Sequence, residues 1–207
     1  MPEPPGAGRV PFVGLTGGIG SGKSTALEAL EELGAETLSA DAVVHELLDA
    51  PDVRAAIAAR LGDEVVDATG AVDRGAVGAH VFEHPEDRAW LEGMLWPRVG
   101  ARIAEWRARL AELSPVPVAA VVEVPLLFEA GMESVFDITI AVVAEESLRA
   151  DRAAARGHAA VAERAGRQLP QAEKARRADH VVRNDGTREE LKTELSKILA
   201  TVGSQSC

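Results

Sequence analysis

The chain has 207 residues, a formal net charge of −11 and 46% apolar side chains. That apolar share supports a buried core and excludes a globally disordered chain, while the acidic excess argues against nucleic acid or an anionic membrane as a main partner. A single cysteine, Cys207, excludes an internal disulfide and a cysteine metal cage, which fits a reducing cytoplasm.

Residues 1–9, rich in proline and glycine, read as a flexible leader without the apolar core of a signal peptide. No apolar stretch approaches the ~18 residues of a membrane span. The run Val10-Pro11-Phe12-Val13-Gly14-Leu15 predicts a first strand over 10–16. Directly after it, Gly17-Gly18-Ile19-Gly20-Ser21-Gly22-Lys23-Ser24 fits the phosphate-binding pattern GxxxxGK[ST] at every fixed position. Thr25 to Leu33 then continue with helical spacing, so strand, loop and helix stand in the order this motif needs. A chain wrapped around a polyphosphate must turn its N–H groups inward, and glycines permit the backbone angles and the close approach. The helix that follows adds its positive end. Gly18, Ile19, Gly20, Ser21, Gly22, Lys23, Ser24 and Thr25 are therefore the candidate nucleotide-binding residues. In this pattern Lys23 reaches the β- and γ-phosphates and the Ser24 hydroxyl ligands Mg²⁺.

Ala35–Ser39 reads as a second strand, and 40–49 and 51–61 as helices. The region 63–114 differs in character. Val72-Asp73-Arg74 opens a helix toward Phe82, and His84-Pro85-Glu86-Asp87 opens a long one. In the latter, Trp90, Leu91, Met94, Leu95, Val99, Ile103, Trp106, Leu110 and Leu113 recur at three- and four-residue steps and form one apolar face. Pro97 predicts a kink there, and the three tryptophans read as core anchors, the alternative being that Trp96 beside the kink touches a ligand ring. Strands follow over 117–124 and 136–143, then a helix from Glu145 to about Arg177 and a short strand over 179–183. Asn184-Asp185-Gly186 is a turn, and Thr187 caps a last helix toward Leu199. Five strands alternating with helices predict an α/β fold with a five-stranded parallel sheet.

Ligands of such sheets sit beyond the carboxyl ends of the strands, which draws attention to the residues there. Asp41 follows the second strand, where it can accept a hydroxyl proton as a general base or cap the next helix. Glu123 ends the third strand, where an acid can hold Mg²⁺ or simply face solvent or a salt bridge. Arg149, Arg152, Arg156, Arg164, Arg167, Arg176 and Arg177 form a local basic cluster, of which Arg152, Arg156 and Arg164 are the candidates for stabilising a transferring phosphoryl group. The five histidines lack metal-ligand spacing, and no GxSxG motif appears.

Several segments taken in order resemble the dephospho-CoA kinase family. They are Gly14 to Thr25, Ser39-Ala40-Asp41, Val72-Asp73-Arg74 with Val81-Phe82, and Val124-Pro125-Leu126-Leu127-Phe128-Glu129. Gln168-Leu169-Pro170 with Glu173-Lys174, then Ala178-Asp179, Asn184 and Gly186, complete the set. The resemblance covers about residues 10 to 200. It implies a P-loop NTPase-type three-layer α/β/α fold with a helical substrate-binding insertion and a helical lid, all within one domain over 10–203. The core would be about 10–62 and 115–203, the helical CoA-binding part about 63–114 and the lid about 150–168. It further implies ATP, Mg²⁺ and dephospho-CoA as ligands, with phosphoryl transfer to the ribose 3′-hydroxyl. Asp41 would be the base, with Lys23, Arg152 and Arg156 in catalysis, Arg164 on the nucleotide, and Ser24 and Glu123 on the metal. Neither nucleic acid nor membrane is expected as a partner, and the expected assembly is a monomer or a weak homo-oligomer.

The chain departs from the family pattern at Ser39 (usually an acid), His45 (usually arginine) and Trp96 (usually histidine), and its segment between Arg156 and Gln168 is short. Two other readings stay open at this point: a kinase of the same core with another small acceptor, and a nucleotide switch, although the Asn-Lys-x-Asp motif of guanine-reading switches is absent.

Overall fold

The five predicted strands form one parallel sheet in the order β2-β3-β1-β4-β5. They are β1 (Phe12–Gly17), β2 (Glu36–Ser39), β3 (Ala120–Glu123), β4 (Ile138–Val143) and β5 (His180–Arg183). A computed structural model of the chain describes residues 10–67, 69–110, 112–154 and 168–205. β1 lies at the centre, paired with β3 on one side and β4 on the other, and every one of its residues is buried. Burial on both faces explains why it is an unbroken apolar run rather than an alternating one.

The period of two sorts β1 between two helical layers. Val13 and Leu15 share a core with Ala26, Ala29 and Leu30 of α1 (Lys23–Glu32) and with Leu191, Leu195 and Leu199 of the C-terminal α8 (Arg188–Gln205). Thr16 points the other way, toward α7 (Gln171–Arg177), which packs on β1 and β4. The result is the expected three-layer α/β/α arrangement. At the start of α8, Thr187 and Glu190 make the reciprocal bonds of a capping box. The Thr187 N–H donates to Glu190 Oε2 at 2.8 Å, and the Glu190 N–H donates to Thr187 Oγ1 at 3.3 Å.

The helix expected from 145 to about 177 is not continuous. α6 covers Glu146–Ala154, residues 155–167 lie outside the described residues, and 168–170 are non-helical, with α7 beginning at Gln171 behind an extended Pro170 (ψ 143°). Proline biases the residue before it away from the helical region, so Leu169-Pro170 is a break that alanine and arginine content conceals.

The chain divides into two compact units, 1–39 with 107–207, and 40–106. The second is helical: α2 (Ala40–Leu48), α3 (Pro51–Leu61), α4 (Arg74–Glu83) and most of α5 (Pro85–Leu110). Asp73 caps α4 by accepting the N–H groups of Gly75 and Ala76 at 2.9 and 3.0 Å. In the loop before it, Asp67 accepts bonds from Thr69 and Ala71, which hold its carboxyl below the ordinary range. α5 keeps the predicted apolar face, with Leu91, Leu95, Val99, Ile103 and Leu110 buried. Pro97 lies inside what remains a single 26-residue helix. The tryptophans are not core anchors. Trp96 is 55% exposed, and Trp90 and Trp106 are only half-buried, because aliphatic residues take the innermost positions of the face.

Candidate nucleotide site

The phosphate loop occupies the carboxyl end of β1, flanked by β3 and β4. The chain leaves β1 toward β2 and returns through β3, which makes this edge a topological switch point where open α/β sheets take ligands. Gly20 and Gly22 have φ of 76° and 87°, in the left-handed region where a side chain is strained. A Cβ on Gly20 would overlap the Arg149 backbone, and one on Gly22 would overlap the Asn184 amide. Lys23 opens α1 and turns back over the loop, its ammonium donating to Gly17 O at 3.2 Å and Gly18 O at 3.4 Å. Ser24 is exposed and Thr25 half-buried in the first turn of α1. Ser21 Oγ is buried and has no hydrogen-bond partner among the described residues, which leaves a donor unsatisfied at the loop.

Glu123 stands at the end of β3. Its Oε1 lies 3.9 Å from Lys23 Nζ and its Oε2 accepts from the Ser39 hydroxyl at 3.1 Å. The structure thus brings together Lys23 and Glu123, residues 100 positions apart that the sequence linked only by their chemistry. Ser39 bonds Glu123 from the position where the family pattern has an acid; a carboxylate there would instead face another carboxylate.

Arg152 on α6 donates to Asn184 O at 3.1 Å. Asn184 is buried and donates through Nδ2 to Ser21 O at 2.9 Å. It therefore couples α6, β5 and the loop, a role sequence reasoning missed because Asn184 also reads as an ordinary turn residue. Arg149 was likewise passed over as a candidate. Its Nε donates to Ile19 O at 3.1 Å while its NH1 pairs with Glu146 at 2.6 Å. Arg156 and Arg164 lie outside the described residues.

Asp41 is half-buried in the first turn of α2. The helix starts at Ala40, so Asp41 is not the N-cap, although an acid in the first turn still complements the helix dipole.

A cleft of about 430 Å³ runs between Gly18, Ile19 and Arg149 on one side and residues 168–172 on the other. Its second wall is fastened to the sheet. The Gln171 amide bonds both the N–H and the C=O of Ala144, each at 2.9 Å, and Leu169 N–H donates to Glu129 Oε1 at 2.7 Å.

A parallel α/β sheet with a GxxxxGKS loop at the end of its central strand defines a P-loop nucleotide-binding protein. A family model for dephospho-CoA kinase matches residues 11–190. A dephospho-CoA kinase of Anaeromyxobacter dehalogenans is 39% identical over 192 residues, covering 91% of this chain and 90% of its own. Among solved structures, a Thermus thermophilus protein superposes with a TM-score of 0.76 at 34% identity, over 93% of this chain and 98% of its own. A dephospho-CoA kinase from Campylobacter jejuni superposes with a TM-score of 0.67 at 26% identity, over 94% of this chain and 98% of its own. The chain belongs to the dephospho-CoA kinase family, and it is a kinase.

Proposed function

We propose that this protein transfers the γ-phosphoryl group of ATP to the ribose 3′-hydroxyl of dephospho-CoA, giving coenzyme A and ADP. The observation that carries the reading is the glycine loop with Lys23 folded over it and Glu123 beside it, in a chain that matches the family from residue 11 to 190.

Phosphoryl transfer is mostly positioning and charge stabilisation. Main-chain N–H groups of Gly18 to Thr25 and the unsatisfied Ser21 hydroxyl supply donors to the phosphates, and Lys23 supplies positive charge where it develops on the transferring group. Asp41 takes the 3′-hydroxyl proton as the ribose oxygen attacks phosphorus and ADP leaves. Its support is its place in the chain, two residues beyond Ser39 at the end of β2. Arg152, with Arg156 and Arg164, adds further positive charge. Helical residues within 63–114 supply acceptor binding.

Ser24 and Glu123 would hold Mg²⁺, and the donor set suits it. Magnesium keeps several waters and needs only one or two protein oxygens beside phosphate, which an exposed hydroxyl and a strand-end carboxylate provide. When bound, the ion neutralises charge on the β- and γ-phosphates. The lone cysteine supports action in a reducing cytoplasm.

The test is ADP release from Mg²⁺-ATP with and without dephospho-CoA, with the product weighed by mass spectrometry. Turnover that depends on the acceptor and yields the mass of coenzyme A is expected. ATP binding without such turnover would sink the reading and direct the search to other small alcohols.

A further inference from the structure

Lys174 on α7 is fully buried, yet its ion pair lies outside the nucleotide loop. Its ammonium has three donors and meets three partners: Pro125 O at 2.6 Å, Glu129 Oε2 at 3.2 Å and Thr16 Oγ1 at 3.5 Å, with Glu129 Oε1 also within 2.9 Å. The other carboxylate oxygen, Glu129 Oε1, accepts the Leu169 N–H. Thr16 is itself fully buried, donates to Pro125 O at 3.3 Å, and immediately precedes Gly17. One buried pair therefore joins three chain segments: the end of β1 leading into the phosphate loop, the exit of β3, and the wall of the cleft that faces Gly18 and Ile19.

Stability does not require a charged pair here. Burying an ion pair costs desolvation, and well-packed apolar residues of similar volume often serve as well or better. Burial pushes the Lys174 ammonium below its usual pKa, against the opposing pull of Glu129. What an apolar pair cannot do is hold the Leu169 N–H and the Thr16 hydroxyl at set directions, because dispersion has no directional preference.

We propose that Glu129 and Lys174 are positioning residues for phosphoryl transfer. Their pair sets the distance between the phosphate loop and the wall at 168–172, and so the shape of the cleft that receives the nucleotide. The turnover part of this inference rests on the proposed kinase reaction; the nucleotide-binding part does not.

The experiment compares the wild type with Lys174→Met, the double variant Lys174→Met/Glu129→Leu, and Glu129→Gln. Lys174→Met leaves a carboxylate unpaired and loses melting temperature. The double variant removes both charges and regains most of that loss. Despite the recovered stability, its affinity for a fluorescent mant-ATP analogue is expected to fall about tenfold. Hydrogen exchange should rise in residues 17–22 and 168–172 together. Its kcat on dephospho-CoA should fall about 10–100-fold, the scale of a small misplacement, with acceptor KM within about threefold. Glu129→Gln leaves the Lys174 ammonium unpaired and offers one oxygen to two donors, so it should lose melting temperature as Lys174→Met does. A double variant with wild-type mant-ATP affinity, exchange and kcat would overturn the inference and leave the pair purely structural. A wild type without acceptor-dependent turnover would instead sink the kinase reading, while the analogue and exchange measurements still decide this one.

Discussion

Gly22→Ala tests how tightly the nucleotide loop is built. The residue has φ of 87°, where a non-glycine residue costs about 1–2 kcal/mol. Its new Cβ would also collide with the Asn184 amide, which donates to Ser21 O at 2.9 Å. Displacing that amide forfeits a buried hydrogen bond worth about 0.5–1.5 kcal/mol. The expected loss is about 2–3 kcal/mol, or roughly 4–12 °C of melting temperature for a chain of this size. Asn184→Ala should cost about 1–2 kcal/mol alone, since Ser21 O loses its donor. In the Asn184→Ala background the collision is gone, so Gly22→Ala should cost only its backbone strain. The two substitutions should therefore be non-additive by about 1 kcal/mol. Urea unfolding of all four proteins, read by circular dichroism, supplies the cycle. Strict additivity, or a Gly22→Ala cost under about 0.5 kcal/mol, would refute the argued contact between loop and Asn184.

Further outcomes are expected of the same protein. Lys23→Ala should cut turnover by about 10²–10³ or more through loss of charge stabilisation, and near-normal initial rates would remove Lys23 from the reaction. Asp41→Asn should lower kcat by about 10²–10⁴ with mant-ATP affinity intact; an unchanged kcat would reduce Asp41 to a residue of the first helical turn. Asp73→Ala should lower stability by about 1 kcal/mol through loss of the α4 cap, which calorimetry can read. Bonds from the Thr187 N–H and hydroxyl hold the Glu190 carboxyl below its ordinary range. A depressed carboxyl contributes stability above its unfolded pKa and loses it as pH falls through the folded one. Urea midpoints measured from pH 7 downward should therefore drop less steeply in Glu190→Gln than in the wild type, and parallel curves would refute that contribution.

The sequence by itself determined what depends on neighbours in the chain. The loop from Gly17 to Ser24 is legible because a phosphate cradle is built from consecutive main-chain groups, so its demands fall on consecutive residues. The five strands, the helix start at 72–74 and the cap at Thr187 are legible for the same reason, since burial on both faces and helix capping act over a few positions. The break at Leu169-Pro170 was equally local and was passed over, because helical composition on both sides outweighed one proline. Only the tertiary structure decided the strand order, the buried Lys174 with its partners, and the coupling of Asn184 to Ser21 across 163 positions. A lysine in a helix, a glutamate after a strand and an asparagine in a turn are each ordinary alone. They become a linked site only when the sheet brings its carboxyl ends together, and there burial forces each polar group to find a partner far along the chain.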